Sequence, residues 1–193
     1  MNELHDGQWT NREVFYIKTT GTVFSVAVVI VPFFVPLDLV QSSATLMYLY
    51  NQLSLVFPYL AWSLPLSSEP EFYIVSKLIL FALGFFFVIS IGVIPLSRDI
   101  SIDQYQTVSD ARNAIWWFWI LFAVFGYGAF FWMYSSGTNL SWASRAAIGS
   151  TLGIAVGNFA QFGVFALLGL YVLLVRQYIR LRLVWKVKNG GSE

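Results

Sequence analysis

Cysteine is absent from this 193-residue chain, and histidine occurs once, as His5. The first absence excludes disulfides, thiolate nucleophiles and thiolate metal sites. The second excludes a haem held by two histidines of one chain. Met47 and Met133 are isolated apolar residues, so no donor set converges on a metal. Charge is equally scarce, at 11% of residues against roughly 25% in ordinary soluble domains. The net charge of +1 leaves no electrostatic footprint for nucleic acid. No Gly-x-Ser-x-Gly elbow occurs, and no dense carboxylate motif. The chain therefore offers no catalytic, metal-binding or cofactor-binding residues that it could use alone. Lys77 reads as an interfacial residue whose stem lets the ammonium reach the headgroups. The clear apolar runs then hold no ionisable group near mid-membrane, which argues against an ion-coupled carrier and against a proton path built on carboxylates of this chain.

What the chain has in abundance is apolar length. Hydrophobic residues make up 58% and aromatics 19%, with eight Trp. Charge-free runs cover residues 19–37, 39–68, 78–97, 113–144 and 146–175. A helix needs roughly 20 apolar residues to cross a hydrocarbon core of about 30 Å. The fold expected is an all-α, polytopic transmembrane helix bundle of four or five spans. These lie near 11–35, 44–66, 71–94, 111–134 and 146–176. A single transmembrane helical domain over 1–188 merges into a basic tail at 177–193. The first eighteen residues are polar and mixed in charge, unlike a cleavable signal peptide.

Local signals set several boundaries. Thr10 and Glu13 have capping-box spacing, and Pro32 and Pro36 end or kink the first helix. Ser68, Pro70 and Glu71 form a second start signal. Thr107 or Asp110 can cap the helix that carries Trp116, Trp117, Trp119 and Trp132, placed as two interfacial aromatic belts. The segment 44–66 is the doubtful span. Gln41, Asn51 and Gln52 are polar, while Leu46, Leu49, Leu53 and Phe57 recur at helical spacing. Residues 42–57 fit a spanning, an interfacial or a re-entrant helix, the last only if protein covers the polar groups.

Loop charge places the C-terminal tail in the cytoplasm under either span count. The tail carries Arg176, Arg180, Arg182, Lys186 and Lys188. Its basic residues alternate with Leu181, Leu183, Trp185 and Val187, a period of two that reads as strand-like. These cations suit anionic headgroups, at about 1 kcal/mol each near the surface, or else a strand added to a partner's sheet. Asp38, Glu69 and Glu71 read as loop polarity or as the rim of a cation-attracting vestibule. Asn139 to Ser141 fits the glycosylation triplet.

The run 146–175 contains three glycines four apart, Gly149, Gly153 and Gly157, followed by the amides Asn158 and Gln161. Small residues on one helix face let another backbone approach, and buried amides bind partners. This stripe reads as a contact surface for another helix of this chain or for another subunit. A quinone ring against Gly157, Asn158 and Gln161 is a further option. No motif is specific enough to name a family. The function expected is a non-catalytic integral membrane subunit, in contact with lipid and with other integral membrane subunits. It would pack in a membrane complex, with a respiratory or other redox complex as one setting, in the plasma membrane of a prokaryote. The alternatives are an oligomeric channel or carrier for a neutral or lipidic substrate, and an enzyme acting on lipid headgroups through Asp99, Asp103 and Asp110. Bound lipid is the expected ligand, and no cofactor is held by this chain alone.

Overall fold

A computed structural model describes residues 11–93, 108–127 and 148–188. Every regular element among them is helical. Helix α1 (Asn11–Ile30) runs into a 3-10 turn at Val31–Phe34, where Pro32 occupies one of the first two positions. Pro32 supplies no N–H and favours this tighter winding at a helix end. Three short helices follow: α2 (Asp38–Ser42), α3 (Ala44–Val56) and α4 (Tyr59–Ser63), the last continued by a 3-10 turn at Leu64–Leu66. Then come α5 (Pro70–Gly92), α6 (Val108–Tyr127) and α7 (Thr151–Lys188). The capping box at Thr10 and Glu13, the polar segment 96–112 that carries Asp99, Asp103 and Asp110, and Asn139 to Ser141 fall wholly or partly outside the described residues; the described part of that segment, from Val108, is helical.

Among the described residues, three helical segments are long and apolar enough to cross a membrane: Phe15–Phe34, Pro70–Gly92 and Thr151–Arg176. Residues 44–66 do not form one such helix. The chain breaks at Phe57 and Pro58, because Pro58 has no N–H to continue the hydrogen-bond ladder. This leaves α3 about 20 Å long, too short to span. The expected span at 111–134 is represented by α6 up to Tyr127, and the remainder lies outside the described residues.

Side-chain pairs fix the helix directions. On α1 and α5, Phe24 meets Phe87 while Phe33 meets Phe72. Residue numbers rise on one element as they fall on the other, so the two run antiparallel. On α5 and α7, Lys77 meets Asn158, Gly84 meets Phe165, and Gly92 meets Val172. These two are parallel at a nearly constant offset. On α6 and α7, Trp119 meets Tyr171 and Gly126 approaches Val164, an antiparallel pair. The core lies along α5, where Tyr73, Leu80, Phe81 and Ile91 are buried against α7, α1 and the short helices.

Two boundaries depart from the sequence reading. Helix α5 starts at Pro70, as its Pro suggests, but Glu69 holds the cap position and makes no side-chain cap bond. Ser68 stands one residue too early for the expected capping box. Its N–H goes instead to the Ile148 carbonyl at 3.3 Å. The strand-like tail is also corrected: α7 continues without interruption to Lys188. No Gly or Pro follows Gly169 before Asn189, Leu, Arg and Lys are good helix formers, and extending a helix already formed costs little. Alternation of charge cannot by itself override that.

Candidate functional site

The site is built where the first halves of α5 and α7 meet. Each helix carries inward polar residues in an otherwise apolar run. On α5 these are Tyr73, Ser76 and Lys77, three and four residues apart, and on α7 they are Asn158 and Gln161. Such spacings bring side chains to one helix face. All five are buried, and Lys77 retains 1% of its exposure.

Lys77 Nζ donates to Asn158 Oδ1 at 2.6 Å and to Gln161 Oε1 at 2.7 Å. Asn158 Nδ2 donates in turn to the Ser76 backbone carbonyl at 3.2 Å. That bond orients the Asn158 amide so that its oxygen faces the ammonium. The ammonium also lies 5.1 Å from the Tyr73 ring centroid, within cation–π range. Among the described residues no carboxylate pairs with it. The positive charge is stabilised by two amide dipoles and one aromatic face. The hydroxyl of Tyr73 shares a hydrogen bond with Ser63 Oγ of α4. Ser76 Oγ is buried with no partner among the described residues.

This placement overturns two expectations. Lys77 does not extend outward as a snorkelling residue would: its amine is buried between α5 and α7. Pro70 begins the span seven residues earlier, and at 1.5 Å per residue Lys77 sits about 6 Å from the central residue Phe81. An ionisable group therefore does lie near mid-span. Reading charge-free runs made Lys77 the border of a run, although Phe72 to Val75 are apolar and belong to the same helix. The signal that could have found it is Tyr73, Ser76 and Lys77 together on one face of a helix opened by Pro70.

The three glycines of the stripe do not all lie on one helix. Gly149 lies outside α7 on an exposed bend, because Ser150 takes the cap position and its Oγ accepts from Gly153 N at 3.0 Å. Gly153 is half-buried and Gly157 buried on the helix. Close approach is seen at Gly84 and Gly169. A Cβ at Gly84 would stand 2.5 Å from the Phe165 ring, and one at Gly169 would stand 3.0 Å from Phe87. Sequence spacing did not point to Gly84, because its counterpart is a ring on another helix.

Of the remaining residues, Trp116 and Trp117 are exposed on α6, and Trp119 packs on Tyr171 at 5.4 Å. Trp132 lies outside the described residues. Arg176 donates to the Gly92 carbonyl and so caps the end of α5 from α7. Arg180, Arg182, Lys186 and Lys188 occupy helical positions beyond it. Asp99 and Asp103 lie outside the described residues; Asp110 falls in the first turn of α6. Among the described residues no group of His, Asp and Glu could hold a metal.

No family model matches the chain, and neither a curated protein nor a solved structure matches it.

Proposed function

We propose that this chain is a non-catalytic membrane scaffold, a subunit that packs against other integral membrane chains. The observation that carries it is the closure of the lysine junction. The amine of Lys77 and the oxygens of Asn158 and Gln161, the residues in the spans best suited to chemistry, are engaged with one another. In this reading those amides serve the lysine junction before any ligand. What the helices offer outward is apolar shape: Phe15, Val23 and Phe34 on α1 and its 3-10 turn, and Leu152, Val156 and Phe159 on α7.

In this proposal four segments cross the bilayer. Since α5 and α7 are parallel, the chain between them has to cross back, and α6 lies antiparallel on α7 to do so. The side holding both chain ends then carries nine Lys and Arg, while Arg145 alone stands in the opposite loops. By the positive-inside bias the ends are cytoplasmic. The basic extension of α7 faces that side, toward anionic headgroups or a partner.

The test is purification of the full chain in mild detergent. Stoichiometric recovery of unrelated integral proteins is expected. Gly163 is exposed on α7 with nothing within 4 Å of an added Cβ. Gly163→Leu should therefore leave the chain folded and release those proteins. Recovery as a lone homo-oligomer would reject the scaffold in favour of a channel or carrier. That second reading is favoured by the position of Lys77 near mid-span, where transporters keep ionisable groups.

A further inference from the structure

We infer that residues 43–68 form a re-entrant hairpin, which enters the bilayer from the side opposite the chain ends and turns in its middle. It rests on α1 and α5 both crossing and holds whether or not the chain is a scaffold.

The first support is direction. Because α1 and α5 are antiparallel, Phe34 at the end of one lies level with Phe72 at the start of the other: Phe33 and Phe72 have ring centroids 5.0 Å apart. The segment joining them starts and finishes on one side and cannot cross once. This separates four crossings from five without using hydropathy.

The second support is depth. The hairpin does not stay level with its own ends. Its break at Phe57 and Pro58 packs on Phe81, with ring centroids 4.6 Å apart. Phe81 is the central residue of Pro70–Gly92. Farther along, Ser63 bonds Tyr73, nearer the start of α5. The returning arm thus climbs α5 from its middle to its entry end. Lengths agree: α3 is about 20 Å and the arm 59–66 about 12–13 Å at helical rise, against a half-thickness of about 15 Å.

The third support is backbone satisfaction, which lipid requires of any broken helix. Phe57 N donates to the Leu53 carbonyl, Leu60 N to the Phe57 carbonyl, and Trp62 N to the Pro58 carbonyl. Tyr50 Oη donates to the Leu60 carbonyl at 2.7 Å and ties the two arms together. Tyr50, Tyr59 and Leu60 are buried, while Leu55, Val56 and Trp62 are exposed, as suits a lipid-facing side. Asn51 and Gln52 are exposed about 9 Å along α3 from the turn. They mark where the hairpin would meet polar company.

The absence of native cysteine makes the test direct. Single variants Ala44→Cys, Ser68→Cys and Asn189→Cys of the full chain are labelled in oriented vesicles with a membrane-impermeant maleimide. Ala44→Cys and Ser68→Cys are expected to react from one side, and Asn189→Cys from the other. Reaction of Ala44→Cys and Ser68→Cys from opposite sides would mean a fifth span and overturn the inference. Depth is read on Leu55→Cys carrying a fluorophore, with lipids brominated at shallow or deep acyl positions. Strongest quenching by the deep bromines is expected, several-fold above the shallow ones. Strongest quenching by the shallow ones would place the hairpin on the surface and equally overturn it.

Discussion

At the scale of single residues, Lys77 is an ammonium solvated by carbonyl oxygens and a ring instead of water. Removing an acceptor leaves the charge buried and underserved. Removing the charge leaves two neutral amides. Hydrogen bonds to charged groups contribute about 1.5–3 kcal/mol, against about 1 for neutral ones. Asn158→Leu and Gln161→Leu should therefore each destabilise more than Lys77→Met, and adding Lys77→Met to either should restore stability. Unfolding in mixed micelles would show this order; equal losses for all three would contradict it. Ser76→Ala removes a buried hydroxyl that has no partner among the described residues, and should be neutral or stabilising by up to about 1 kcal/mol. Gly84→Ala drives a Cβ into the Phe165 ring and should cost about 1–3 kcal/mol by overpacking, whereas Gly163→Ala should cost nothing in the same assay. The amides were legible as groups in want of partners. Their partner was not, because it lies 81 and 84 residues away and no spacing rule links such positions.

At the scale of elements, prolines and apolar runs carry most of what the chain discloses. Pro32, Pro58 and Pro70 each stand at an observed break or start, and the three long apolar helices among the described residues each overlap a charge-free run, although α5 begins eight residues before its run. Periodicity misled at the tail, where basic residues alternating with apolar ones suggested a strand. The competing influence was the helix already running into that segment from the bilayer. The consequence is measurable. Spin labels placed singly over 177–188 should show accessibility with a period near 3.6 residues, and a period of two would restore the strand. Leu183→Pro should end the helix about a turn before the substitution and abolish that pattern beyond it. The span 44–66 was ambiguous for a physical reason: composition alone does not separate a buried broken helix from a spanning one.

At the scale of the whole molecule, helix direction decides the topology, and direction is the property least visible in the sequence. Hydropathy counts crossings one segment at a time. Only the pairing of Phe24 with Phe87 and Phe33 with Phe72 reveals that α1 and α5 oppose each other. Arg176 contributes at the same scale, since it holds the end of α5 to α7 through the Gly92 carbonyl. Arg176→Ala should lower the melting temperature in detergent by several degrees while leaving helicity intact, a change of about 1.5–3 kcal/mol spread over a domain of this size. An unchanged melting temperature would show that the cap is made equally well by water.

The distance along the chain between Lys77 and its acceptors also governs how the protein is made. Ribosomes polymerise roughly 5–20 residues per second, so about 4–16 s separate the synthesis of the lysine from that of Asn158. During that interval the Lys77 amine stands on α5 without the two amide acceptors that α7 brings. A chain that stopped after α6 would keep that amine without those acceptors, so truncation there should cost more stability than the lost apolar contact alone predicts.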